Sequence, residues 1–293
     1  MPLPHFVILG AQKSASTYLG AALSRHPAVC MPNYEVRFFE DPVYRPDLSG
    51  LKALFQGKEH LVCGIKRPDY LARPEVPARL QRDLPGVRLI ALLREPVGRL
   101  VSAYYYYIKL GFMPPVDINR ALPAILRRYP DLTPRERELL EYGRYGTQLA
   151  RYRDYFPPEQ MLLIVQDDMR DAEKSTLDKV CDFLVLPRLE CMPKSKRPNT
   201  GVYSIARLRW LRQRNRFFYR VDPESGSLDV NLTPLNYLLG GAITAADRFL
   251  LAPFWDKSPP QLDPELAEAL RTFYRSDVRA VEDIIGRALP RWH

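Results

Sequence analysis

A single lysine stands among small hydroxylic residues immediately after an apolar run: Phe6-Val7-Ile8-Leu9 leads into Gly10-Ala11-Gln12-Lys13-Ser14-Ala15-Ser16-Thr17. This is chemistry suited to an anion. A helix opening near Ser14 leaves its first N–H groups without intrahelical partners, and the helix dipole, the hydroxyls and the Lys13 ammonium converge on the same point. Gln12, Lys13, Ser14, Ala15, Ser16 and Thr17 are therefore candidate phosphate-binding positions. The spacing differs from that of a nucleoside-triphosphate loop, which runs Gly, four residues, then Gly-Lys-Ser/Thr; here Lys13 follows Gly10 by three positions and the hydroxyls come after it. By itself, a Gly- and Ser-rich connection between strand and helix can be only a turn.

A second segment of the same kind follows, Val87-Arg88-Leu89-Ile90-Ala91-Leu92-Leu93-Arg94-Glu95-Pro96-Val97-Gly98-Arg99-Leu100-Val101-Ser102-Ala103-Tyr104. An apolar strand again enters a turn and a helix, with Arg94 at the strand end and Ser102 about two helical turns on. Two anion sites are implied. The pair resembles the 5′-phosphosulfate loop and the 3′-phosphate motif of sulfotransferases that use 3′-phosphoadenosine 5′-phosphosulfate (PAPS). In that family the second motif reads Leu-Arg-x-Pro-x-x-Arg-x-x-Ser-x-Tyr, and Leu93, Arg94, Pro96, Arg99, Ser102 and Tyr104 fill every defined place.

The resemblance runs from about residue 5 to 205 and is nearest to the carbohydrate (heparan-sulfate-like) and related bacterial branch. Ser24-Arg25-His26-Pro27 followed by Glu35-Val36-Arg37-Phe38-Phe39 resembles that branch's His-Pro segment and Lys-Glu-x-x-Phe-Phe box, and Lys66-Arg67-Pro68-Asp69-Tyr70 its Lys-Ser/Thr-Pro-x-Tyr box. Tyr34 stands where the family has Lys before the glutamate, Ala15 where Gly is common, and Asn199-Thr200-Gly201-Val202-Tyr203 lacks the Lys of the family's third cofactor loop. The resemblance implies Glu35 as the base that deprotonates an acceptor, in need of partial burial beside Phe38 and Phe39 to strengthen it. It implies Lys13 as the cation that meets the leaving-group charge, and Lys66 as a contact to the sulfuryl oxygens or to Glu35. Cofactor contacts are implied at Arg94, Ser102, Arg197, Thr200 and Gly201. His26 is a competing base, although its His-Pro setting reads as a helix end. The runner-up function is a P-loop-like nucleotide kinase, or a phosphonucleotide-binding protein without chemistry; a kinase would carry an acidic metal ligand at a strand end, and here that place is Arg94.

Length and composition agree equally with one large α/β domain and with two ordinary ones. With 293 residues the chain can bury a substantial core, and its +9 formal charge suits an anionic ligand. The four cysteines form no paired C-x-x-C spacing and the four histidines are scattered, so no metal site is expected. Met1-Pro2-Leu3-Pro4-His5 leaves no room for a signal segment before the first strand, and no apolar run of about 18 residues follows. A cytoplasmic enzyme without a membrane anchor is the expectation. Its partners would be a small-molecule, glycan or carrier-bound acceptor.

These side chains need a scaffold, and the pattern supplies one. Strands over 6–9, 61–65, 88–93 and 161–166 alternate with helices over 17–24, 74–83, 98–108 and 173–183, which argues a central parallel sheet flanked by helices. Residues 115–156 read as helical, as does 264–285. The expected organisation is a single domain over 1–293, with a PAPS-binding core over 1–190 and a basic, mostly helical region over 191–293. Between Arg188 and Arg220 ten Lys or Arg face one Glu, with Trp210, Phe217, Phe218 and Tyr219 interleaved. A solvated basic face, or a lip that attracts anions, is expected there in preference to a nucleic-acid site, because no nucleic-acid module is present. The run Tyr104-Tyr105-Tyr106-Tyr107 is expected to pack, since four successive tyrosines on a helix point in different directions.

Overall fold

The apolar runs become strands. In chain order the elements are β1 (Phe6–Gly10), α1 (Ser16–Leu23), β2 (Val29–Cys30), α2 (Ser49–Ala53), β3 (Val62–Lys66), α3 (Val76–Asp83), β4 (Arg88–Leu93), α4 (Pro96–Leu110), α5 (Ile118–Arg128), α6 (Pro134–Glu141), α7 (Tyr145–Arg153), β5 (Met161–Val165), α8 (Gln166–Asp171), α9 (Glu173–Leu184), α10 (Ile205–Phe218), β6 (Tyr219–Val221), β7 (Leu228–Val230), α11 (Pro234–Ala246) and α12 (Pro264–Ile285). The computed structural model describes residues 2–188, 201–221, 228–230, 233–251 and 258–293. No helix among the described residues is long and apolar enough to cross a membrane.

The chain forms two compact units, one of Met1–Arg99, Glu141–Pro198 and Arg271–His293, the other of Leu100–Leu140 and Asn199–Leu270. The first holds the α/β fold. Its five strands run in the order β2-β3-β1-β4-β5, all parallel. Every residue of β1 is buried, as a parallel strand covered on both faces requires. On one face Phe6, Ile8, Ile90 and Ile164 pack with Leu19 and Leu23 of α1 and Leu177, Val180 and Leu184 of α9. Ile8 lies in register with Lys66 of β3 and with Ile90 of β4, so the carboxyl-terminal ends of the three central strands lie side by side. That edge is where parallel α/β sheets bind ligands, because the connecting loops and helix N-termini gather there.

α12 closes the first unit through a buried carboxylate. Asp277, side chain 3% exposed, accepts from the Thr147 N–H at 2.9 Å, the Thr147 hydroxyl at 3.1 Å and Arg144 Nε at 3.1 Å, which fixes the start of α7. In the second unit Arg207 makes a two-pronged pair with Asp247 at 2.9 and 2.8 Å, and the antiparallel pair β6–β7 follows α10. Of the tyrosine run, Tyr104, Tyr105 and Tyr107 are buried, with Tyr106 at the surface, as the packing expectation requires.

Candidate active site

The loop after β1 is shaped by its backbone. Gly10 takes φ +134°, and a Cβ there would lie 2.3 Å from the Pro68 carbonyl oxygen, so only glycine fits. Lys13 and Ala15 both adopt left-handed φ, +67° and +70°. The helix consequently begins at Ser16, one residue before the expected 17–24 span and two after Ser14, and Ala15 offers no side chain to cap it. A helix N-terminus without a side-chain cap aims its first N–H groups into the loop. The loop is tied to the strand beside it by Ala11 N–H donating to the Leu92 carbonyl at 2.6 Å, and by Arg94 Nη1 donating to the Lys13 carbonyl at 3.2 Å. The two predicted anion motifs thus meet through Arg94.

Behind the loop lies a polar core of side chains. Ser14 and Arg99 are both fully buried. The Tyr145 hydroxyl faces Ser14, Arg94 and Arg99, and the Tyr274 hydroxyl bonds to Arg99; burial pushes both phenols above their usual range. Glu95 caps α4, accepting from Val97 N–H at 2.7 Å and Gly98 N–H at 2.5 Å, and burial raises its pKa against those bonds. Ser14, predicted as a phosphate ligand, therefore directs its hydroxyl into this core.

On the other side of β1 the predicted base meets the predicted lysine. Lys66 Nζ, at the end of β3, lies 3.0 Å from Glu35 Oε1 and 3.3 Å from the Thr17 hydroxyl, with its stem running over Gly20 of α1. Glu35 Oε2 accepts from Arg67 Nη1 at 2.9 Å. The segment carrying Glu35 is held by Tyr70, whose hydroxyl donates to the Val36 carbonyl at 2.5 Å and accepts from Phe39 N–H at 3.1 Å. The expected burial of Glu35 beside Phe38 and Phe39 is not what the structure contains. Both rings pack on Tyr44, and Phe39 also on Tyr70, while the Glu35 side chain keeps 37% exposure between its two cations.

Arg67 itself gathers three carboxylates. Besides Glu35 it donates to Glu40 Oε1 through Nε at 2.8 Å and to Asp69 Oδ2 through Nη2 at 2.7 Å, and Asp69 Oδ1 in turn accepts from Gln12 of the loop at 3.3 Å. The surrounding carboxylates raise the Arg67 pKa above its ordinary value against the opposing effect of burial, and burial raises Glu40. Arg67 stood inside a motif in the sequence but carried no role; two adjacent basic residues at a strand end look like a solvated pair until Glu35 and Glu40 arrive from a distant segment.

Other expectations distribute as follows. His26, the competing base, is 2% exposed, with Nδ1 accepting from Ala28 N–H at 3.1 Å and Nε2 within 2.9 Å of the Pro187 carbonyl; both ring nitrogens are engaged at a helix end, away from Glu35 and Lys66. Ser102 lies on α4 in its second-unit portion and is half-buried. Gly201 is exposed, next to Tyr203, whose ring meets Tyr105 at 5.4 Å. Arg197 and Thr200 lie outside the described residues. Among the described residues no cluster of three or more His, Cys, Asp or Glu has the arrangement to hold a metal ion.

Comparison with known proteins adds to this geometry. The family described as "Sulfotransferase domain" matches residues 3–195. The bifunctional heparan sulfate N-deacetylase/N-sulfotransferase 3 of Homo sapiens is 26% identical over 203 residues, covering 63% of this chain and 23% of that protein. Heparan sulfate glucosamine 3-O-sulfotransferase 3B1 of Homo sapiens is 28% identical over 188 residues, covering 64% of this chain and 47% of that protein. The chain thus spans less than half the length of either relative. A crystal structure of a sulfotransferase from Alicyclobacillus acidocaldarius has a TM-score of 0.68 at 20% identity, covering 100% of this chain and 99% of that one, a likeness of fold.

Proposed function

The chain belongs to the sulfotransferase domain family, and from that premise we propose that it moves a sulfuryl group from PAPS to a hydroxyl of a saccharide acceptor, with Glu35 as general base. One observation carries the reading: a single ammonium, Lys66 Nζ, reaches both Thr17 at the start of α1 and the Glu35 carboxylate, so the group that takes the acceptor's proton and the loop that grips the donor share one cation. When bound, PAPS supplies the sulfuryl group and leaves as 3′-phosphoadenosine 5′-phosphate (PAP). The residues fit such a donor. The cradle at Gly10 would be filled by a Cβ, the first turn of α1 has no side-chain cap, and Arg94 reaches the loop from the next strand.

In this reading Glu35 accepts the acceptor's proton at a carboxylate oxygen as the acceptor oxygen bonds to sulfur. Lys13 meets the charge that builds on the departing phosphate oxygen, and Lys66, between loop and base, stabilises the sulfuryl oxygens. Arg94 holds the 3′-phosphate, with further contacts to the donor from Gln12, Ser16 and Thr17. The saccharide class rests on the named activities of the relatives, which include both O- and N-sulfotransferases.

The test is a panel of hydroxyl- and amine-bearing saccharides, lipids and small phenols incubated with ³⁵S-labelled PAPS, alongside melting curves with PAP and ATP. Label on a saccharide and a larger melting shift with PAP than with ATP support the proposal, because a ligand that binds only the folded state stabilises it by mass action. Equal shifts with both nucleotides, or phosphate transfer from magnesium-ATP, would overturn it in favour of a kinase.

A further inference from the structure

We propose that Arg67 is a positioning residue for the base, a clamp that holds the Glu35 carboxylate at the sulfuryl-transfer centre and connects it to the donor loop. The inference rests on Glu35 acting as the base. Three observations lead to it. The Arg67 guanidinium is nearly covered, its side chain 11% exposed, yet it contacts three carboxylates at 2.5 to 2.9 Å: Glu35, Glu40 and Asp69. Two of these, Glu40 and Asp69, are themselves largely buried, at 10% and 16% exposure, whereas Glu35 keeps 37% and so faces outward, where an acceptor can reach it. Finally, the Arg67 backbone is fixed independently, its N–H donating to the Ile8 carbonyl of β1 at 3.1 Å.

The geometry follows from the planar guanidinium. Glu40 and Asp69 occupy Nε and Nη2, which orient the plane, and the remaining Nη1 then points at Glu35 Oε2. The other carboxylate oxygen is taken by Lys66, so the base is fixed at both oxygens before any acceptor arrives. Asp69 also accepts from Gln12, which gives a bonded chain Gln12–Asp69–Arg67–Glu35 parallel to the shorter link Thr17–Lys66–Glu35. A lysine in place of Arg67 retains the charge, but a point-charge ammonium on a flexible stem does not reproduce a rigid fork addressing three partners. Preorganisation of this kind acts on kcat, because a misplaced base binds acceptor and donor unchanged and transfers the proton poorly.

The experiment is a double-mutant cycle on the full chain, using whichever acceptor the labelled-donor panel identifies. Arg67→Lys should lower kcat about 10-fold and Arg67→Ala about 100-fold, with KM for PAPS and the Kd of PAP changed less than twofold. In a Glu35→Gln background either change should lower the residual kcat less than twofold, since a clamp has nothing left to hold. Guanidinium ion at millimolar concentration should restore part of the Arg67→Ala activity. Additive losses in the cycle, or a Kd for PAP that weakens in step with kcat, would show that Arg67 only maintains the fold and would overturn the proposal. If Arg67→Ala does not fold, Arg67→Lys carries the same cycle alone. Failure of the underlying reading looks different: wild-type turnover in Glu35→Gln with intact PAP binding removes Glu35 as base, and the clamp with it, whatever the Arg67 variants do.

Discussion

Replacing Arg94 with alanine separates its two possible jobs. In the structure Arg94 Nη1 donates to the Lys13 carbonyl at 3.2 Å, a long bond to a neutral acceptor; in the proposed complex the same guanidinium also meets the 3′-phosphate. The first contact is a neutral-acceptor hydrogen bond at a partly exposed site, about 0.5 to 1.5 kcal/mol, which at roughly 2–4 °C per kcal/mol for a chain of this size lowers the melting temperature of the free protein by about 1 to 6 °C. The second is charge-assisted, about 1.5 to 3 kcal/mol, or roughly 10- to 150-fold in Kd. Calorimetric titration of wild type and Arg94→Ala with PAP and with ADP, which lacks the 3′-phosphate, resolves the two. Wild type should prefer PAP over ADP by at least the second factor, and Arg94→Ala should bind both with similar, weak affinity. The reasoning is refuted if Arg94→Ala weakens PAP and ADP by the same factor, because Arg94 would then act only by holding the loop through Lys13.

Four further outcomes are expected. Glu35→Gln should lower kcat by roughly 10²- to 10⁴-fold with the Kd of PAP unchanged within twofold, measured by labelled-donor turnover and calorimetry. Gly10→Ala, whose new Cβ would meet the Pro68 carbonyl oxygen at 2.3 Å, should abolish the melting shift produced by PAP and destabilise the free protein, as a melting curve with and without ligand would show. Lys13→Met should lose more in kcat than in PAP affinity, and turnover should be unaffected by EDTA, because Lys13 and Lys66 are proposed to meet the charge; loss of activity on chelation that magnesium restores would contradict this. Burial raises the Cys63 thiol from 9.0 to about 11, so the unfolded chain ionises first and stability should fall as pH rises from 9 to 11. Denaturant titrations of Cys63→Ala should show a flatter decline over that window.

Much of the scaffold was legible because parallel strands buried on both faces are continuous apolar runs. Arg88–Leu93 and Pro264–Ile285 have the predicted bounds, and Phe6–Gly10 and Val62–Lys66 lie within one residue of them. β2 was not legible: two residues, Val29–Cys30, are too few to show any period. The loop before α1 was less legible: Lys13 and Ala15 take left-handed backbone that neither residue type advertises, and α1 begins only after them, at Ser16. The partition into two units is also invisible in sequence, since each is assembled from separated stretches, with the boundary inside α4.

The candidate site divides along the same line. Lys13, Arg94 and Lys66 end strands or follow them, so motif and position coincide, and the structure brings Lys66 to the segment of Glu35 across a separation of 31 residues. What sequence could not supply was the environment of the base. An apolar pair next to a glutamate suggests desolvation, but Phe38 and Phe39 have aromatic partners of their own, and what surrounds Glu35 is charge. A desolvated carboxylate gains basicity by losing water; what Lys66 and Arg67 give Glu35, one at each carboxylate oxygen, is position. If Lys66 turns from Glu35 toward the sulfuryl oxygens when the donor occupies the loop, the base loses one of its two cations as the acceptor arrives, and Arg67, anchored by Glu40 and Asp69, keeps the carboxylate in place through that exchange.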